Sequence, residues 1–126
     1  RSDSWHYGHM IIPKQWSPGS IMPAYPWLAE DDLDVSYLEK KISVMRKLGV
    51  PYEEGYEEQA LADLQEQANE IAARIVRDLA AQGSDATVES IANKEIIALI
   101  AYLQRLGTDI KNVPVEDIAN SDNTNE

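Results

Sequence analysis

Four prolines stand between residues 13 and 26, at Pro13, Pro18, Pro23 and Pro26. Each ring holds φ near about −65° and removes one backbone N–H, so neither a long helix nor a central strand can cross this stretch. Residues 1–34, which also hold Trp5, Trp16 and Trp27, are therefore read as a long irregular segment. Its one regular piece is a short helical turn after Ser2 or Asp3 in "SDSWHYGHM". A structureless stretch of this length inside a compact domain is functional or disordered, and the aromatic content argues against disorder.

From Val35 the period changes. Val35, Leu38, Ile42 and Met45 recur at three and four, with Glu39, Lys40, Lys41 and Arg46 between them and Gly49 as a stop, which predicts a helix near 35–48. After Val50-Pro51-Tyr52, a second helix is expected near 56–82. Its stripe is Leu61, Leu64, Ala68, Ile71, Ala72, Ile75 and Leu79, its start is acidic, and Gly83 ends it. "GSDATVES" offers alternative N-caps before a third helix near 92–106, closed by Gly107. In that helix Ile96, Ile97, Leu99, Ile100, Leu103 and Leu106 spread over more than one face, and with only the second helix to pack on, part of this surface is expected to stay uncovered. The fold class that follows is mostly α: about three helices behind an irregular N-terminal segment. Residues 112–126 are too polar to bury, and a disordered tail is expected there.

A chain of 126 residues is sized for one domain. With 11 Lys and Arg against 22 Asp and Glu the net charge is −11, which repels a phosphate backbone and excludes nucleic acid as a partner. The absence of cysteine excludes disulfides, thiolate metal sites and thiol nucleophiles. No apolar run reaches the roughly 20 residues of a membrane span. No Ser-His-Asp order, Gly-rich phosphate loop or paired-carboxylate motif is present, so hydrolase and nucleotide-binding readings have no support and no catalytic residue is assigned.

Chemistry is left to a few side chains. Met22, in "SIMPAYPWL", sits before Pro23, which pushes it towards extended backbone, so its thioether is presented by a stiffened loop. It either fills a core beneath that loop or binds a soft metal; a thioether opposite His is the axial pair of cytochrome c haem. His6 and His9, three apart, would share a helix face, yet with no third ligand nearby they read as one surface and one hydrogen-bonding histidine. Trp5, Tyr7, Trp16, Tyr25 and Trp27 suit either a flat apolar cofactor or a small core. Glu53-Glu54-Gly55-Tyr56-Glu57-Glu58 reads as a solvated helix start, with a docking surface for a basic partner as the other option.

Four stretches, "SDSWHYGHMIIP", "PGSIMPAYPWL", "KKISVMRKLGVPY" and "NKEIIALIAYLQRLGTDIK", occur in this order across most of residues 1–111. In this they resemble the monohaem subunit of cbb3-type cytochrome c oxidases, specifically the C-terminal part of its periplasmic cytochrome c domain. "MPAYPWL" followed by "ALIAYLQRLGTDI" carries the resemblance most specifically. It implies a partial cytochrome c domain over residues 1–111 and electron transfer as the job. Met22 would be the second axial ligand of haem c, opposite the His of a Cys-x-x-Cys-His motif, with Trp5, Tyr25 and Trp27 as haem-shell candidates. It further implies the catalytic and other haem subunits of the oxidase and a periplasmic electron donor as partners, on the periplasmic side of the bacterial inner membrane. Because the chain has neither the attachment motif nor a membrane anchor, it is expected to be a fragment cut inside the haem domain. As such it would carry no covalent haem and would pair into a homodimer through its last helix. The alternative of another class is a haem-free acidic helical module for protein–protein interaction.

Overall fold

The computed structural model describes residues 1–109, and the polar tail expected from residue 112 lies outside the described residues. Among them are six α-helices and a single 3-10 turn; an isolated bridge between Asp32 and Lys94 is the nearest approach to a strand. The mostly α expectation is met.

The N-terminal third is more regular than expected. Helix α1 spans Asp3–Ile11, with Ser2 as N-cap taking the Trp5 N–H on its side-chain oxygen at 3.2 Å and Asp3 in the first turn. A short α2, Pro13–Trp16, follows at once, and a 3-10 turn covers Pro26–Ala29. Pro13 and Pro26 each open one of these turns, where a missing N–H has no partner to lose and the fixed φ is already helical. Those two prolines begin structure rather than prevent it, which is why the expectation of a single short turn fell short.

Helix α3 spans Leu38–Lys47 and α4 spans Tyr56–Ala80, both inside the expected ranges. Gly49 and Gly83 take φ of 98° and 85° just beyond them, a left-handed conformation that stops a helix and that side chains resist. The two helices form a hairpin. Ile42 and Ala60 are buried between them, and Arg46 grips both carboxylate oxygens of Glu57 at 2.7 and 2.6 Å.

The third helix expected near 92–106 is α6, Glu95–Asp109, and a short helix that was not expected, α5, Val88–Ile91, precedes it at the end of the stretch read as a linker. Thr87 caps α5 in a reciprocal box with Ser90. The break between the two helices is held from outside: Leu33 donates to the Asn93 carbonyl, Glu95 donates to the Asp31 carbonyl, and Lys94 Nζ lies 2.6 Å from Asp32. Helix α6 then passes through Gly107, which does not close it.

Ile71, Ala72 and Ile75 of α4, Ile91 of α5, and Ile96, Ile97 and Ile100 of α6 make the core. Burying each isoleucine contributes about 1.5–3 kcal/mol. Tyr7, Met10 and Ile11 of α1 cover it from one side. Helix α6 therefore packs against α1 as well as α4, and Ile96, Ile97 and Ile100 are fully or almost fully buried within one chain. Of the surface expected to stay partly uncovered, these three isoleucines are covered, so Ile100 is not available to a second copy, whereas Leu106 stays exposed; with Tyr102 it makes up the exposed large hydrophobic side chains among the described residues of α6.

Candidate functional site

Met22 lies in the extended stretch between α2 and the 3-10 turn, half-buried in a shallow cleft with Ile12, Pro13, Lys14, Ser20, Ile21, Pro23 and Ala24. Its backbone is tied on both sides. The Met22 N–H donates to Ser20 Oγ at 3.2 Å, and three residues later the Tyr25 N–H donates to the Met10 carbonyl on α1 at 2.8 Å. The prolines on either side limit the rest. The result is a thioether held by a strapped loop outside the isoleucine core, with Ile21 fully exposed next to it.

Of the aromatic candidates, Tyr25 and Trp27 are brought together edge to face at 5.3 Å, and Trp27 is 49% exposed. Trp5 stands elsewhere on α1: His9 stacks on it at 4.4 Å, His6 meets its edge at 5.2 Å, and the Arg1 guanidinium lies 4.6 Å over its ring. His6 and His9 thus both face Trp5. Partial burial holds His6 below its usual pKa, with the positive N-terminus adding to the effect. No group of three or more His, Cys, Asp or Glu side chains suited to a metal ion occurs among the described residues. Glu53, Glu54 and Glu58 are exposed at the start of α4, the solvated helix start read from the sequence, while Glu57 is held by Arg46.

Position is set by contacts the sequence did not announce. Asp3, 8% exposed, accepts from Arg74 of α4 at 2.7 Å and from Gln104 of α6 at 2.6 Å, while Ser4 Oγ donates to Asp78 at 2.7 Å. These bonds fix α1 across both core helices, and α1 in turn holds the Tyr25 end of the loop. The sequence marks Asp3 only as a possible helix start, and nothing in a separation of 71 or 101 residues points to its partners. At Gly8 the Trp16 indole lies so close that an added Cβ would be 2.3 Å from it, a pairing hinted at only by a glycine in mid-helix.

The donor set fits one side of a haem c site. Met22 offers a soft sulfur on an apolar loop edge; the chain has no cysteine, so its own residues do not supply the thioether attachment or the ligand that adjoins it. A second groove of about 580 Å³ runs between α4 and α6, lined by Leu61, Leu64, Ala68, Ala98 and Ala101, and shares no lining residue with the Met22 cleft. No helix among the described residues is long and apolar enough to cross a membrane.

No curated protein matches the chain. The family model described as cytochrome c oxidase, mono-heme subunit/FixO, matches residues 1–110, from the N-cap of α1 through the Met22 loop and the hairpin to the end of α6. The chain belongs to that family, the monohaem subunit of cytochrome c oxidase, whose role is in electron transfer.

Proposed function

We propose that Met22 is an axial ligand of haem c in the full-length subunit, and that this chain is the methionine-loop part of the haem domain of a cbb3-type oxidase. The observation that carries the reading is the loop itself. A thioether between two prolines is strapped to α1 through Tyr25 and stands half-buried at an apolar edge within a chain matched to the monohaem family. When bound, the haem supplies reversible one-electron chemistry at iron. The chain's own residues hold the sulfur in one place, set the loop's height through Met10, and offer Ile21, Pro23 and Trp27 as an exposed apolar rim that would shut out water once a haem lay against it. Tyr25 and Trp27 are proposed to line the haem shell, with Trp5 as a more distant member on α1.

In this reading electrons arrive from a periplasmic donor cytochrome or sibling haem subunit and leave towards the catalytic subunit. The 126-residue chain alone carries no covalent haem, having no cysteine to bond it. Two copies of the chain pair through the outward edge of α6, where Tyr102 and Leu106 are 59% and 45% exposed.

The test is Met22→Ala in the haem-bearing full-length subunit. Haem stays attached, the midpoint potential falls, and the Met–iron absorption band disappears, because loss of the thioether removes the ligand that favours ferrous iron. An unchanged potential with an intact band would assign the ligand elsewhere.

A further inference from the structure

We propose that Trp16 is a positioning residue for the Met22 sulfur, seated on α1 through Gly8; the proposal rests on reading Met22 as an iron ligand. A Cβ built at Gly8 would lie 2.3 Å from Trp16 Cε2 and 2.4 Å from Cζ2 and Nε1, so the indole occupies the space of a side chain and meets the helix backbone directly. Glycine inside a helix is less favourable than alanine by about 1 kcal/mol, a local loss that this contact explains. The isoleucine core does not explain it, because the half-buried residues packed on that core include Tyr7, Met10 and Ile11 of α1 but not Trp16.

From Ser17, the residue bonded to Trp16, a short chain of hydrogen bonds leads to the ligand. The Ser17 N–H donates to the Pro13 carbonyl at 2.8 Å, the Ser20 N–H to the Ser17 carbonyl at 2.9 Å, and the Met22 N–H to Ser20 Oγ at 3.2 Å. Beyond Met22, Tyr25 returns to α1 at Met10, two residues from Gly8. The loop is thus pinned to one helix before and after the sulfur: a tight steric seat on one side and a backbone hydrogen bond on the other. Moving the seat moves Met22 relative to α1 without touching the α4–α6 core.

Gly8→Ala tests this in the 126-residue chain by amide exchange and Met-methyl NMR. Exchange at Met22 and Tyr25 should quicken about tenfold, the loss of roughly one net hydrogen bond, and the Met22 methyl should shift while Ile75, Ile96 and Ile100 amides keep their protection. Gly8→Ala combined with Trp16→Leu should restore both readouts, since the smaller side chain leaves room for the new methyl. Trp16→Leu alone introduces no clash and should loosen the loop by less than Gly8→Ala does. Unchanged loop amides in Gly8→Ala, or a double variant as disturbed as the single, would overturn the proposal. In the haem-bearing full-length subunit, Gly8→Ala should lower the potential and weaken the Met–iron band, with the double variant restoring them. A loosened loop with potential and band unmoved removes the ligand reading, and with it Trp16's role towards iron; rigid loop amides with a normal band remove the positioning role alone.

Discussion

Glu57 shows how one residue's charge holds the α3–α4 hairpin. Donation from Arg46 lowers its pKa from 4.5 to about 2, and Ser36 lowers that of Asp34 by donating from both its hydroxyl and its backbone. A carboxylate with a depressed folded-state pKa contributes stability that is complete above its unfolded value and is lost as pH falls through the folded one. Stability should therefore drop between about pH 4.5 and about pH 2, and Glu57→Gln should flatten that drop. Thermal melts of both proteins across this window are the check; parallel curves would show that the pair is silent, as many exposed pairs are. Asp3 is a different case, because its carboxylate is buried while Arg74 is half exposed. Asp3→Ala removes the shorter of the two bonds that Gln104 donates, leaving the one to the Arg1 carbonyl at 3.3 Å, and lets Arg74 return to water, so the expected loss is about 1–3 kcal/mol by denaturant unfolding rather than the larger penalty of a fully buried pair. A loss below about 0.5 kcal/mol would mean that α1 is held by its apolar face alone.

At the scale of elements, the helices with long apolar stripes were legible and the short ones were not. Ile71, Ala72, Ile75 and Leu79 recur at helical spacing over many turns, so α4 follows from period alone, and glycines with positive φ close α3 and α4 where a stop was expected. The break before α6 had no such signal, because it is imposed by residues 31–33 through backbone bonds to Asn93 and Glu95. For the same reason the site was only partly legible: Met22 stands out by its flanking prolines, whereas Asp3 and Trp16 act through contacts that become visible only once α1 is placed. Helix α5, a single turn, depends on its cap to carry Ile91 into the core. Thr87→Ala should lower stability by about 1 kcal/mol and Thr87→Ser by less, measured by denaturant unfolding. Equal losses for the two would show that the hydroxyl is not the stabilising group.

For the whole molecule, the isoleucine core closes within one chain, leaving Tyr102 and Leu106 as the apolar part of α6 that a second copy would cover. Sedimentation should show mass rising with concentration, and Tyr102→Glu with Leu106→Glu should abolish the rise while leaving the helical content intact. A well-folded wild type that stays monomeric at every concentration would rule the pairing out. The family assignment makes the chain part of an electron-transfer subunit, and the central claim built on it is that the Met22 sulfur binds the haem iron. The most direct measurement is the NMR spectrum of the reduced, haem-bearing full-length subunit with its methionine methyls labelled, Met22→Leu serving to assign the signal. A methyl over the face of a haem is shifted far upfield by the ring current. The expected result is one strongly upfield methyl that vanishes in Met22→Leu; a Met22 methyl at its ordinary position in the haem-loaded protein would contradict the claim.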